Sequence, residues 1–448
     1  MSTFIAVDFG AGSGRVIAGR NDGGGLVLDE LHRFPNRQVR IGRHLYWDFP
    51  ALFEEMKEGL RRAARKYDDI VSLGIDTWGV DYGLVDAAGN LMGNPLCYRD
   101  ESTTGMPEAV FRRLDLSAHY AEAGIQVMPI NTLFQLCVRR QENEAWLREA
   151  RHLLFMPDLF AYYLTGIAGC EYSIASTSEL LDARTKSWNR PLIRKLGLPD
   201  HLFGDLLMPG TVRGTLLPEV AAEVGLPPTV KVITVGSHDT ASAVHAVPFR
   251  EGKEGVSAFL SSGTWSLLGA VVDKPILTEE ARLAGFTNEG GTRGRILFLQ
   301  NITGLWILQC LIRQWEAQGL PTDYDVLIAE AEKVCDAPYI DVDAPDFQHP
   351  ADMAEAIAAY CRQRGQTPPR TQGEYVRCVV QSLAERYRSG IAQLNALLPR
   401  PVEVLHIIGG GCRNRLLNRL TEEATGTTVM TGPVEATAIG NLQVQMNL

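Results

Sequence analysis

Between residues 232 and 244 the hydrophobic pattern changes period. Val232, Ile233, Thr234 and Val235 form an apolar, β-branched run, which predicts a buried strand. Gly236 and Ser237 end it. Ala241 to Val244 then open a helix, with Ser237 or Thr240 as the expected cap. The chain begins differently. The strand-like run Thr3–Val7 meets Asp8, a turn with Gly10, Gly12 and Gly14, and then Val16–Ala18 and Leu26–Leu28. That order predicts a β-hairpin with a glycine-rich tip. Val256–Val272 repeats the layout around Ser261-Ser262-Gly263-Thr264. Ile70–Asp86 is read as a further strand, glycine-bearing turn and strand. Apolar spacing near 3.6 predicts helices over 52–66, 108–114, 133–142, 146–150, 157–164, 304–318 and 372–398. Near the end, Val402–Ile408, the triple glycine 409–411 and residues 415–424 read as strand, turn and helix. A last helix opens around Glu435–Asn441.

The chain's 448 residues exceed one ordinary core, so two domains are expected. The echo of the first hairpin beyond Val244 divides them into 1–244 and 245–448. With 43 basic and 53 acidic residues, the net charge is −10, which disfavours nucleic acid and anionic lipid as main partners. No basic and apolar leader precedes the first strand, and no apolar run is long enough to span a bilayer, so a cytoplasmic protein is expected. Eight scattered cysteines form no CxxC pair, and no HxxxH occurs. Reduced thiols, mostly in the core, are expected, without a zinc site or a protein-built metal cage. The basic run Arg61–Lys66 reads as a solvated helix face.

The candidate chemistry follows from these elements. Asp239 comes at the end of a buried strand, just before a helix, where open α/β sheets place their ligands. It reads as a general base taking a proton from a hydroxyl, or as a turn residue capping the helix. The first hairpin is neither G-x-G-x-x-G nor a Walker A loop, because its glycines have the wrong spacing and no G-K-[ST] follows. Its successive backbone N–H groups can still form an anion-binding concavity. At the Trp78-Gly79 turn, Asp76 and Asp81 could line a pocket for a sugar, with the indole against its apolar face. The alternative is a tight turn with a core Trp. The triple glycine offers bare backbone to a flat ring or a ribose.

Together, Asp8 with its hairpin, Gly236-Ser237-His238-Asp239, Ser262-Gly263-Thr264-Trp265-Ser266, Gly409-Gly410-Gly411 and Glu435-Ala436-Thr437-Ala438-Ile439-Gly440-Asn441 resemble the FGGY carbohydrate kinases. The match is collinear over essentially the whole chain. Val7–Val16, Gly74–Asp81, Ser262–Leu267 and Asn301–Trp306 resemble the members acting on L-rhamnulose rather than those acting on glycerol or xylulose. The resemblance implies an α/β, actin-like ATPase fold with two ribonuclease-H-like domains flanking a catalytic cleft. Residues 1–244 would carry the sugar site and first phosphate loop. Residues 245–448 would carry the second phosphate loop and adenosine site. It implies transfer of the ATP γ-phosphoryl to the 1-hydroxyl of L-rhamnulose, with Mg²⁺. Carried over by position, Asp239 is the proton acceptor. Gly79, His238, Asp239, Thr240 and Asn301 serve the sugar. Ala11, Gly12, Ser13, Gly14, Arg15, Thr264, Gln309 and Gly410 serve ATP. Family members usually continue past the Gly440-Asn441 helix with further helical residues, whereas this chain stops at Leu448. That departure puts the support under the adenosine site in question.

Neither phosphate hairpin contributes a lysine. Backbone N–H groups, Ser13, Thr264, Arg15 and Mg²⁺ must therefore compensate the transferring charge, with Asp8 reaching the ion through water. The hairpins lie in different halves, so closure of the halves is expected to bring them onto one nucleotide. Three other functions suit part of the pattern: a kinase for xylulose or fuculose, an actin- or chaperone-like ATPase, and a sugar sensor. Ser237-His238-Asp239-Thr240 and the Trp78-Gly79 turn argue for a sugar and against a motor.

Overall fold

The computed structural model describes residues 2–249, 254–348 and 350–448. Two compact units emerge. The first comprises Met1–Ala246, Val272–Phe298 and Ala436–Leu448, and the second comprises Val247–Val271 and Leu299–Glu435.

The first unit is built on a six-stranded mixed sheet. Its order is Thr211–Thr215, Lys231–Thr234, Ile70–Thr77, Thr3–Phe9, Ser13–Asn21, Leu26–Pro35. The three central strands, Lys231–Thr234, Ile70–Thr77 and Thr3–Phe9, run parallel. Thr3–Phe9 and Ser13–Asn21 form the antiparallel hairpin expected from the glycine-rich turn, and Leu26–Pro35 extends it. Alternation along Thr3–Phe9 separates the two faces. Ile5, Val7 and Phe9 join a large core with Leu52, Met56 and Leu60 of the Phe49–Lys66 helix and with Phe160 of the Met156–Thr165 helix. Ala6, on the opposite face, packs with Ala438 and Leu442 of the Ala436–Met446 helix. The chain's last helix therefore closes the second face of its first sheet.

That helix lies very close to its neighbours. A Cβ at Gly440 would stand 1.8 Å from the Ser242 carbonyl oxygen. Only a glycine allows this approach. Asn441 and Gln445 reach further into the sheet. The Gln445 amide donates to Asn441 Oδ1 at 2.7 Å and to the Ile5 carbonyl at 3.0 Å, while Ser72 Oγ donates to Gln445 Oε1 at 2.7 Å.

In the second unit, Ser257–Ser262 pairs antiparallel with Trp265–Val272 and parallel with Val404–Ile408. Thr428–Thr431 continues the parallel pairing beside Val404–Ile408. The layout thus repeats that of the first unit: a hairpin whose opening strand has a later strand parallel to it.

The strand, turn and strand read over Ile70–Asp86 are present as Ile70–Thr77 and Tyr82–Val85, the second of which pairs antiparallel with His152–Phe155. Some sequence expectations need correction. Residues 133–142 and 146–150 form one helix, Thr132–Glu149, interrupted by non-helical backbone at Asn143. His238, rather than Ser237 or Thr240, occupies the N-cap of Asp239–His245, and its side chain makes no capping bond. Ser237 Oγ instead donates back to the Val235 carbonyl at 3.4 Å. Among the described residues the eight cysteines are free and five are buried, and no helix is long and apolar enough to cross a membrane. Arg61, Arg62 and Lys66 pair with Glu223, Glu58 and Asp29 on the surface.

Candidate active site

The parallel strands bring three acidic positions to one end of the first unit's sheet. Asp8 and Asp76 are register partners near the ends of their strands. Thr77 bridges His238 in parallel, and Asp239 follows. The carboxyl ends of parallel strands are where this sheet type gathers ligands. The geometry therefore gathers residues that lie far apart in the sequence.

Each carboxylate has a distinct environment. Asp8 is buried and accepts from Arg15 Nη2 at 2.5 Å. Asp76 is fully buried. Its Oδ2 accepts from Asn441 Nδ2 at 2.6 Å, while Oδ1 has no hydrogen-bond partner. Burial first, and the Asp8 charge second, hold the Asp76 carboxyl well above the usual carboxylate range. Asp239 remains a third exposed at its side chain. Burial raises its pKa, against the lowering influence of the His238 charge and the Thr240 hydrogen bonds. Thr240 Oγ1 donates to Asp239 Oδ1 at 3.2 Å, and His238 Nε2 stands 3.5 Å from the same oxygen.

The backbone before Asp239 is held from outside its own segment. Glu171 is fully buried and accepts from Ser173 N, Ser173 Oγ, Ile174 N and Ser237 N. Ser173 Oγ in turn accepts from His238 N at 3.1 Å, and Ser237 O accepts from Thr77 N at 2.9 Å. Burial pushes the Glu171 carboxyl up to about 7 despite these donors. Gly79 lies beside the imidazole: a Cβ there would stand 3.3 Å from His238 Nε2 and 3.3 Å from Thr177. Gly79, His238, Asp239 and Thr240 therefore form one cluster. Next to Gly79, Val80 has φ of 69°, a strained value for a β-branched residue. The Thr177 hydroxyl accepts from Val80 N, and the Thr132 hydroxyl donates to Val80 O, which together hold this turn.

Trp78 and Asp81 belong to a buried network of their own. Trp78 is buried and packs on Trp47 with ring centroids 4.2 Å apart. Both indole N–H groups donate to Asp81 Oδ2, Gln135 Nε2 donates to Asp81 Oδ1, and Tyr98 N donates to Asp81 Oδ2. Asp81 is therefore a buried acceptor that ties four segments together, and burial pushes its carboxyl up to about 6. Trp78 and Asp81, expected either to line a sugar pocket or to form a tight turn with a core Trp, make these core contacts.

The first hairpin tip is open. Gly10 N donates to Ser13 O, and Asn36 braces the turn through Gly10 O and Gly12 O. Gly12 is exposed, and a Cβ there would touch nothing within 4 Å. Ala11, Ser13 and Arg15 are partly exposed, while Gly14 is buried against Phe34.

The remaining predicted positions lie in the second unit. Thr264, at the hairpin tip, donates to Gln309 Oε1 at 3.1 Å, so these two meet. The triple-glycine turn packs against the end of Ser257–Ser262. Gly409 has φ of 79°, and a Cβ at Gly411 would overlap Ser262 Oγ at 2.0 Å. Gly410 is exposed, with open space around it. Asn301 is half-buried on the strand Ile296–Thr303.

Glu171 and Glu289 were missed by sequence reasoning. Each is a lone acid in a short buried segment, with no periodic signal to mark it. The motif around Asn441 was noticed, but its bond to Asp76 links residues 365 positions apart. Among the described residues, no group of three His, Cys, Asp or Glu stands close enough to hold a metal ion directly.

Comparison with known proteins places the chain in a family. Residues 3–245 match the FGGY family of carbohydrate kinases, N-terminal domain, and residues 258–447 match its C-terminal domain. A rhamnulokinase of Bacteroides thetaiotaomicron is 47% identical over 445 residues, covering 99% of this chain and 90% of that protein. A rhamnulokinase of Oceanobacillus iheyensis is 40% identical, covering 99% and 92%. The fold is similar to ligand-bound xylulose kinase from Lactobacillus acidophilus, with TM-score 0.80, 13% identity and coverage of 99% and 89%. It is also similar to Plasmodium falciparum glycerol kinase with ADP, with TM-score 0.77, 14% identity and coverage of 99% and 89%. Both halves of the chain match the two family domains in order, and so this two-domain, actin-like α/β protein belongs to the FGGY family of carbohydrate kinases.

Proposed function

We propose that the chain transfers the γ-phosphoryl group of ATP to the 1-hydroxyl of L-rhamnulose, giving L-rhamnulose 1-phosphate and ADP. Support for the sugar comes from the full-length relatives called rhamnulokinase. Support for the chemistry comes from one observation above all. Asp239 is a carboxylate, a third exposed, beside His238 and Gly79, on a backbone that buried acceptors hold in place.

A sugar hydroxyl is a poor nucleophile at neutral pH. In this reading Asp239 accepts its proton as the oxygen–phosphorus bond forms. Thr240 and His238 orient the carboxylate, and Gly79 lets its backbone approach the imidazole closely. Asn301 contributes a further sugar contact. ATP is the donor substrate that a carbohydrate kinase of this family uses. Its phosphates are assigned to the N–H groups of the Ala11, Gly12, Ser13 and Gly14 tip, to Arg15, and to Thr264. Gln309 and Gly410 are assigned to the rest of the nucleotide. Exposed backbone at Gly12 and Gly410 suits that role, since no side chain blocks approach.

Magnesium suits the acidic end of the first sheet. The buried Asp76 Oδ1 has no hydrogen-bond partner, and Asp8 is its neighbour across the parallel pair. Asp8 would hold the ion through its water shell. When bound, the ion neutralises charge on the phosphate oxygens. The deciding experiment is a panel of ketoses with coupled ADP detection. L-rhamnulose is expected to give the highest kcat/KM. A higher value for xylulose or fuculose would overturn the sugar assignment, and ADP formation without any sugar would overturn the kinase mechanism.

A further inference from the structure

His238 stands between two carboxylates. Its Nε2 faces Asp239 Oδ1 at 3.5 Å, and its Nδ1 faces Glu289 Oε2 at 3.2 Å. Glu289 comes from Thr287–Gly290, a strand almost fifty residues further along the chain within the same unit, and its side chain is only 8% exposed. Neither His238 Nδ1 nor Glu289 Oε2 has a hydrogen-bond partner elsewhere or meets hydrogen-bond geometry with the other, so the two face each other as a buried ion pair. The main chain of His238 is already fixed by Ser173 Oγ and by the bridge to Thr77. What remains to be set is the ring itself: its rotation, and which nitrogens carry protons.

We propose that Glu289 is a positioning residue for phosphoryl transfer, whose carboxylate holds the His238 ring so that Nε2–H points at Asp239 and the Gly79 turn. The inference rests on the reading of Asp239 as proton acceptor. A neutral imidazole donates from one nitrogen only, and Glu289 takes that donor at Nδ1. Only the doubly protonated ring also donates from Nε2. A donor there steadies the Asp239 carboxylate and faces the space assigned to the sugar. The charged groups facing the ring are Glu289, Asp239 on its own segment and Glu171 behind Ser173. Burial works against charging the ring, but these acids, Glu289 foremost, outweigh it and raise its pKa above the ordinary value. The charged ring is therefore favoured at low pH and is lost as pH rises through the raised pKa.

Glu289→Gln keeps the shape and removes the charge. Its expected effect is a downward move of the alkaline limb of kcat/KM for the sugar by about one pH unit. This is about a tenfold loss at a pH above both limbs, with KM for ATP and the melting temperature unchanged. In a His238→Asn background the same change should add no further loss, because coupling through the ring is gone. An unmoved alkaline limb would overturn the proposal, and so would an equal loss in both backgrounds. Should Glu289→Gln fail to fold, NMR titration of ¹³C-labelled histidine in the unaltered protein decides. His238 must titrate above about 6.5, the ordinary histidine value, and titration at or below it refutes the proposal. The variants are assayed on whichever ketose the parent phosphorylates best. A wrong sugar thus shows in the parent, a wrong proton acceptor shows in Asp239→Asn, and a wrong role for Glu289 shows only in its own variants.

Discussion

Asp239→Asn separates binding from chemistry. The amide has nearly the shape of the carboxylate, and its oxygen can still accept from Thr240 Oγ1, now 3.2 Å away. The backbone around it depends on Glu171 and Ser173, not on Asp239, so the turn should keep its form. What disappears is the ability to take a proton. A positioned general base contributes about 10²–10⁴-fold, or roughly 3–5 kcal/mol at about 1.4 kcal/mol per factor of ten. The variant also removes one of the anions facing His238, which makes the charged imidazole less favoured. The comparison is therefore run as a full pH profile, so that loss of the ring's charge and loss of the base are read apart. The assay couples ADP formation at saturating ATP and L-rhamnulose, with sugar affinity measured by calorimetry. The expected result is a kcat about two to four orders of magnitude lower with sugar affinity within a few-fold. Turnover within tenfold of the parent would refute the assignment, whatever happened to KM.

Two further perturbations test the scaffold. Glu171 rises to about 7 from 4.5 through burial, so the folded state binds its proton more tightly than the unfolded chain. The stability this contributes is complete below about pH 4.5 and lost as pH rises through 7, a swing of about 3 kcal/mol. Glu171→Gln, which resembles the protonated acid, should gain on the parent by that amount between pH 4.5 and pH 8 in denaturant titrations. A pH-independent difference would sink the argument. Gly440→Ala places a methyl carbon 1.8 Å from the Ser242 carbonyl and should cost more than about 3 kcal/mol by forcing two helices apart. An unchanged melting temperature would contradict the packing described for the last helix.

The legible part of this protein is local. The hairpin Thr3–Phe9 with Ser13–Asn21, its echo at Ser257–Ser262 with Trp265–Val272, and the strand–helix turn at Asp239 follow from β-branched runs broken by glycine. Their order, with the motifs at both ends, was enough to expect the family. Other features were decided only by long-range packing. Tyr82–Val85 pairs with a strand about seventy residues away, and the Asp81 carboxylate just before it is the buried acceptor that Trp47 and Trp78 share. Asn441 meets Asp76, Glu171 holds Ser237, and Glu289 faces His238, each across a span that leaves no periodic trace. Side-chain spacing reports which face of its own element a residue occupies. It carries no information about which distant polar group will need a partner once water is excluded. The sequence by itself thus determined the strands, turns and candidate base. Tertiary structure alone chose the buried acids and amides that hold that base in position.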